Sequence, residues 1–286
     1  MKKVEAIIWK AKLGQKKNWI RAQNLLENGL NDFPNNTSLL TNLAEIYRQR
    51  KMYEKAIEKY QIIQKLNPKD DDISFQIGNC YLLLKKYHSA IESFKEVETN
   101  FDELLYNKAF CYARLKQIDT AIHLLEQLNR DNLKSVAPIV FLAELYFAQR
   151  DYNKSLEYLN DAKNKFGDRE VVSYLSGLIF FRKKNYLKAY WEFQKTDKQN
   201  FSDPLFFLNY ALTCKHLGKK MKAIGILMRA IKIFPNEERC YLELIKLHFE
   251  MGNKDQAIFI FEQATVLFAS SFELKFLYKK ILQTRD

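Results

Sequence analysis

The sequence predicts an all-α protein in which one helical hairpin is used eight times, and three observations carry that expectation. Only 8 Gly and 5 Pro stand among 286 residues, too few to punctuate the turns of a sandwich or barrel, while the abundant Leu, Ile, Lys, Glu, Ala and Gln favour helix. A column of small residues (Ala22, Ala56, Ala90, Ala121, Ser155, Ala189, Ala223 and Ala257) recurs every 34 residues, with one interval of 31. Each member of the column sits inside an i, i+3, i+7 stripe, which is the period of one helix face.

The elements follow in chain order. The first hairpin (3–36) carries Ile7, Ala11 and Gly14 in its first helix and Trp19-Ala22-Leu26 in its second, and stops at Phe33-Pro34-Asn35-Asn36. The second (37–70) has Leu40-Ala44-Tyr47 at i, i+4, i+7, then Tyr53-Ala56-Tyr60, and closes at Asn67-Pro68-Lys69-Asp70. The third (71–101) contains Gly78 and Tyr87-Ala90-Phe94; it is three residues short, which predicts a local change of path near Asn100 to Glu103. The fourth (102–135) repeats the pattern as Leu105-Ala109-Tyr112 and Ile118-Ala121-Leu125, and the fifth (136–169) as Ile139-Ala143-Tyr146 and Tyr152-Ser155-Leu159. The sixth (170–203) has Gly177 and Tyr186-Ala189-Phe193. The seventh (204–237) opens on Asp203 as N-cap with Pro204 at the first helical position, where a missing N–H costs nothing. It continues through Ala211 and Lys220-Ala223-Leu227 to Phe234-Pro235-Asn236, and the eighth (238–271) carries Lys254-Ala257-Phe261. A closing helix over 272–284 is expected, with Phe272, Phe276, Leu277, Ile281 and Leu282 on an apolar side and Lys275, Lys279 and Lys280 elsewhere. Small residues in both helices of a hairpin let the two backbones approach closely where the columns face.

The 34-residue period, the small residue then Tyr in the first helix, the alanine then aromatic in the second, and the closing Pro resemble the tetratricopeptide repeat over residues 3–271. That resemblance implies a single α-solenoid over 1–286, a right-handed superhelix of eight repeats whose first helices line the concave side, ended by a solvating cap helix. Lys10 and Ile245 stand where a small residue is usual, and Lys220 and Lys254 where an aromatic is; terminal repeats are expected to be atypical.

The resemblance also says where a ligand would lie: on the first-helix face one residue round from the packing stripe. The second hairpin is polar there (Thr41, Glu45, Arg48), whereas the third to seventh are largely apolar. Apolar surface wider than one packing stripe marks a partner site. The expected groove comprises Phe75, Asn79, Tyr106, Asn107, Phe110, Phe141, Phe147, Tyr174, Leu178, Phe181, Leu208 and Leu212, and would take an apolar extended peptide or an amphipathic helix. The competing reading is that the aromatics Tyr106, Phe147 and Phe181 simply fill the inside of the superhelix; Phe110, Leu178 and Leu212 stand where polar residues are usual. Chaperone-binding relatives grip a terminal carboxylate with Lys, Asn, Asn, Lys and Arg. Asn79 and Asn107 match that clamp in part, but Ala137 and Phe141 occupy the places of the following Lys and Arg, which disfavours such a co-chaperone.

Net charge is +12, and residues 204–237 hold 6 Lys/Arg against 1 acid. Many cations fall in the turns inside the hairpins, among them Lys16, Lys17, Arg50, Lys51, Lys85, Lys86, Lys116, Arg150, Lys183, Lys184, Lys219 and Lys220. Each complements the C-terminal dipole of a first helix, and this local role is preferred over nucleic-acid binding. Cys80, Cys111, Cys214 and Cys240 form no CxxC pair, and His88, His123, His216 and His248 are scattered, so neither a metal, a cofactor nor a catalytic site is expected. His248 stands in a packing stripe as core filler. Glu5, Lys10 and Lys12 interrupt any export signal, and the longest apolar stretch, Ile139 to Ala148, is too short to span a bilayer. The expectation is a cytoplasmic, non-catalytic adaptor for a protein or peptide ligand, with the oligomeric state open. The alternatives are a chaperone for a secreted or membrane-bound client and a basic-surface binder of nucleic acid or membrane.

Overall fold

A computed structural model describes residues 2–15, 18–128, 133–198 and 203–283; Lys16 and Lys17 of the expected basic edge and residue 284 of the expected cap lie outside them. Seventeen α-helices and no strand are found among the described residues. They pair in order: α1 (Lys2–Gln15) with α2 (Trp19–Asp32), α3 (Thr37–Gln49) with α4 (Tyr53–Leu66), α5 (Asp71–Leu83) with α6 (Tyr87–Lys95), and α7 (Asp102–Arg114) with α8 (Ile118–Glu126). Next come α9 (Ala137–Ala148) with α10 (Tyr152–Phe166), α11 (Glu170–Arg182) with α12 (Tyr186–Lys198), α13 (Pro204–His216) with α14 (Lys220–Ile233), and α15 (Glu238–Glu250) with α16 (Lys254–Leu267); α17 (Phe272–Gln283) is unpaired. The helices form two compact units, Met1–Lys134 and Ser135–Asp286.

Helix starts follow polar residues at the hairpin junctions and, at Asp151, in the turn within a hairpin. The side chains of Asn36, Asp70, Asp151 and Asp203 each accept the backbone N–H three residues on, at 3.0, 3.2, 3.1 and 3.0 Å, satisfying donors that a helix N-terminus leaves open. Pro204 is the first residue of α13, as its fixed φ favours. At the turn from first to second helix the chain passes through the left-handed region: Lys51, Lys85, Lys116, Arg150 and Lys184 have φ between 57° and 65°, and Gly218 and Gly252 take that role in the seventh and eighth hairpins. The turn cations thus sit just past a helix C-terminus, where positive charge is favourable.

Packing within a hairpin uses the two small columns, and in two hairpins glycine makes room for a phenylalanine ring. A Cβ on Gly78 would stand 2.4 Å from Phe94 Cε1, and one on Gly177 2.6 Å from Phe193 Cε1. Both phenylalanines are fully buried, so the absent Cβ makes room for the ring at these two places; Ala109, Ala143 and Ala211 stand in hairpins whose corresponding residue is Leu125, Leu159 or Leu227, whereas Ala44 is matched by Tyr60 and Ile245 by Phe261. Ser155 replaces alanine in the column without an unmet hydroxyl, because Oγ donates to the Ala143 carbonyl at 2.6 Å.

The second helix of the short third hairpin, α6, has 9 residues, as has α8 of the full-length fourth hairpin, so the deficit lies in the run from α6 to the start of α7 and not in helix length alone. There the Asp71 carboxylate accepts the backbone N–H groups of Glu98 and Thr99 at 2.9 Å each and the Thr99 hydroxyl at 2.7 Å. Those bonds, led by the one from the Thr99 hydroxyl, hold the Asp71 carboxyl below its usual range.

The closing helix differs from its expected apolar side. Leu274, Leu277 and Ile281 are buried, at i, i+3, i+7, and Tyr278 stacks on Phe261 with centroids 4.1 Å apart. Phe272 and Phe276 lie a turn-fraction away from that stripe and are 79% and 64% exposed, so α17 ends the stack without giving it a wholly polar surface.

Candidate functional site

In the first unit, the ligand-side face changes character along the stack. On α3, Arg48 donates two bonds of 2.8 Å to Glu45; burial pushes the Glu45 carboxyl up, but the bonds from Arg48 and Gln49 prevail and lower it. A cleft of about 650 Å³ opens there, lined by Lys12, Thr41, Glu45, Gln49, Asp72 and Gln76 among others. On α5 and α7, Asn107 Nδ2 donates to Asn79 Oδ1 at 2.9 Å, so the two partial clamp residues meet each other. Phe75 is buried against the rings of Phe94 and Phe101, at 5.8 and 4.9 Å. Tyr106 and Phe110 are half-buried; the Phe110 ring lies edge-on to Tyr87 at 6.4 Å and beneath the Arg114 guanidinium at 5.2 Å.

In the second unit the same register is largely apolar on three successive first helices, with Glu144 on α9 and Lys215 on α13 as its charges. Phe141 and Phe147 on α9 are half-buried, the latter 5.7 Å from Tyr152. Tyr174 on α11 packs against Phe193 and Phe206 at 6.3 and 6.0 Å, and burial pushes its phenol up to about 12. Phe181 meets Tyr186 at 5.7 Å and His216 at 6.1 Å, and His216 stacks on Tyr186 at 4.1 Å. Leu178 and Leu212 are half-buried against the unit's core, and Leu208 is buried in it. Glu144 is the single charged residue of α9. Solvent reaches its side chain, yet the apolar surroundings desolvate the carboxyl and raise it above the usual range.

Two clefts accompany this face. One of about 430 Å³ is lined by Phe147, Ala148, Arg150, Tyr152 and Arg182. The other, about 530 Å³, lies between α15 and α17 and is lined by Leu242, Lys246, Phe249, Phe272, Phe276 and Lys280 among others. The sequence reading did not assign a site there. Phe276 and Lys280 stand 34 residues after Leu242 and Lys246, so carrying the period one step further finds them.

The four thiols are free and buried, and burial pushes Cys80, Cys111 and Cys214 up to about 11 and Cys240 to about 12. Among the described residues, no group of His, Cys, Asp and Glu could hold a metal ion, and no helix is long and apolar enough to cross a membrane.

Models of the tetratricopeptide repeat match residues 39–72, 72–99 and 103–132, the second, third and fourth hairpins. The chain is 26% identical over 153 residues to the BBSome complex member BBS4 of Bos taurus; the match covers 51% of this chain and 29% of the cattle protein, so the likeness spans less than a third of that relative. Among solved structures, a tetratricopeptide repeat protein from Parabacteroides merdae superposes with a TM-score of 0.65 at 19% identity, covering 86% of this chain and 98% of that one. Yeast Tom70 does so with a TM-score of 0.60 at 17% identity, over 93% of this chain and 59% of its own. With its repeat models, its spacing and its hairpin fold in agreement, the chain belongs to the tetratricopeptide repeat family.

Proposed function

We propose that the chain is a cytoplasmic, non-catalytic adaptor that holds an apolar or amphipathic segment of a partner polypeptide against its first helices. Tetratricopeptide repeats generally serve as non-catalytic scaffolds for protein interaction, and the cattle relative is by its name a member of a complex. The observation that carries the reading is the composition of α9, α11 and α13, which are apolar on nearly every side, with Glu144 the one charge within α9. A first helix packs against its own partner and against neighbouring hairpins, and the apolar side chains that stay half-exposed after that packing, among them Phe147, Leu178, Phe181 and Leu212, are the surface a guest would cover. Four buried, free thiols suit a reducing compartment.

The test is a random-peptide display selection against the wild-type protein, followed by titration of the selected peptides with Phe110→Ser and Leu178→Ser. Loss of about tenfold or more in affinity, with helical content and cooperative unfolding retained, is the expected result. Undiminished affinity for both folded variants would overturn the proposal.

A further inference from the structure

The outward faces of the second helices provide an internal control, because eight hairpins place the same register positions in solvent. Two residues after the small column, the exposed side chain is Asn24, Glu58, Glu92, His123 and Glu157 in the first five hairpins, then Trp191, Gly225 and Phe259. Two residues before it, Glu54, His88, Asp119 and Asn153 stand between Ile20 in the first hairpin and Leu187 and Met221 in the sixth and seventh, and Asp255 follows in the eighth. Only in the sixth and seventh hairpins do both positions lack a polar side chain. There Leu187 and Trp191 on α12 and Met221 and Met228 on α14 are all more than half exposed.

These side chains belong to one surface. Lys222 Nζ on α14 donates to Tyr190 Oη on α12 at 2.7 Å, Trp191 lies edge-on to Tyr190 at 5.4 Å, and Arg229 pairs with Asp197. The two outward faces are therefore tied side by side. Cations frame the strip: α12 and residues 219–233 hold eight Lys and Arg against Glu192 and Asp197. Between Met221 and Met228 stands Gly225, whose absent Cβ would meet no atom within 4 Å. Glycine weakens a helix interior, and nothing inside the chain requires it here.

We infer that the outward face of α12 and α14 is a second docking surface, separate from the first-helix face, and that its occupant is an amphipathic helix with an acidic polar side. Apolar anchors along one side of such a helix would cover Leu187, Trp191, Met221 and Met228, and its carboxylates would meet the surrounding lysines. Unbranched methionines adapt to the incoming side chains. Gly225 leaves a notch that lets a neighbouring helix approach closely, a feature of use to a packed helix and of none to a bilayer. That notch is what favours a protein helix over an anionic membrane.

The experiment uses the full chain and three probes: a fluorescent helical peptide with Leu at i, i+3, i+4 and i+7 and Glu at the remaining positions, the same peptide with Lys for Glu, and phosphatidylcholine vesicles containing phosphatidylserine. The Glu peptide is expected to bind and the Lys peptide not to, with affinity falling as salt rises. Met221→Ser with Met228→Ser, and separately Gly225→Leu, should each weaken the Glu peptide by about tenfold. Gly225→Leu removes a helix-weakening residue into open space, so it keeps the fold. A membrane-binding face gives the opposite signature: vesicles bind, and Gly225→Leu leaves that binding unchanged or stronger. That outcome overturns the proposal, as does failure of the Glu peptide to bind or indifference of its binding to Gly225→Leu.

Discussion

At the residue scale, the pairing of Gly78 with Phe94 shows how one side chain selects another. Gly78→Ala raises helix propensity but drives a Cβ into a fully buried ring, and the second effect is the larger. The variant is expected to lose about 1–3 kcal/mol in urea unfolding, and Gly78→Ala with Phe94→Leu to recover most of it, as the Ala109 and Leu125 pair implies. A fully stable single variant would contradict this packing account. The sequence shows the small column plainly, yet that Gly78 and Gly177 have no room for a Cβ is visible only from the rings of Phe94 and Phe193. His248 offers a second case. Its Nδ1 is buried without a hydrogen-bond partner, and burial lowers the imidazole below its usual value. The unfolded chain therefore binds a proton before the folded one does, so this residue's contribution to stability is lost as pH falls from about 6.5 through the folded value. His248→Phe should remove that component: the wild-type minus variant stability difference, followed by urea unfolding across the acid range, should change with pH in that window and be flat above it.

At the element scale, the third hairpin is the irregular one, and its repair is local. The three-residue deficit was legible by counting, but the bonds that hold the shortened run after α6 were not: the Asp71 carboxylate accepts three hydrogen bonds from Glu98 and Thr99. Asp71→Ala should leave helical content unchanged while the Glu98 and Thr99 amides exchange with solvent on the order of tenfold faster or more, read by amide hydrogen exchange. Equal protection in the variant would mean that these bonds do not hold the segment. The same scale explains why hairpin bounds were readable. Asp70 and Asp203 announce starts and the turn cations mark the ends of first helices, whereas the outward faces of α12 and α14 are recognised as apolar surface once their exposure is known.

At the scale of the whole molecule, the hairpin count follows from the 34-residue period, because a hairpin cannot shield its apolar side alone and must stack. The division into Met1–Lys134 and Ser135–Asp286 was not legible, since the period continues across it; each unit has a core of its own, one around Leu39, Leu43 and Tyr60 and one around Phe193, Phe206 and Tyr210. The groove residues were legible as a face but not by depth: Phe75 and Leu208 are buried, Tyr174 and Phe181 pack against neighbouring rings, and Phe110, Leu178 and Leu212 are half-buried. The claim that the first-helix face holds a guest polypeptide is tested most directly by placing a photo-crosslinking amino acid at Leu178, and in a second protein at Glu157 on the polar outward face of α10, in cells of the source organism. The account predicts a crosslinked polypeptide from the Leu178 position and none from Glu157; capture at Glu157 with none at Leu178 would contradict it.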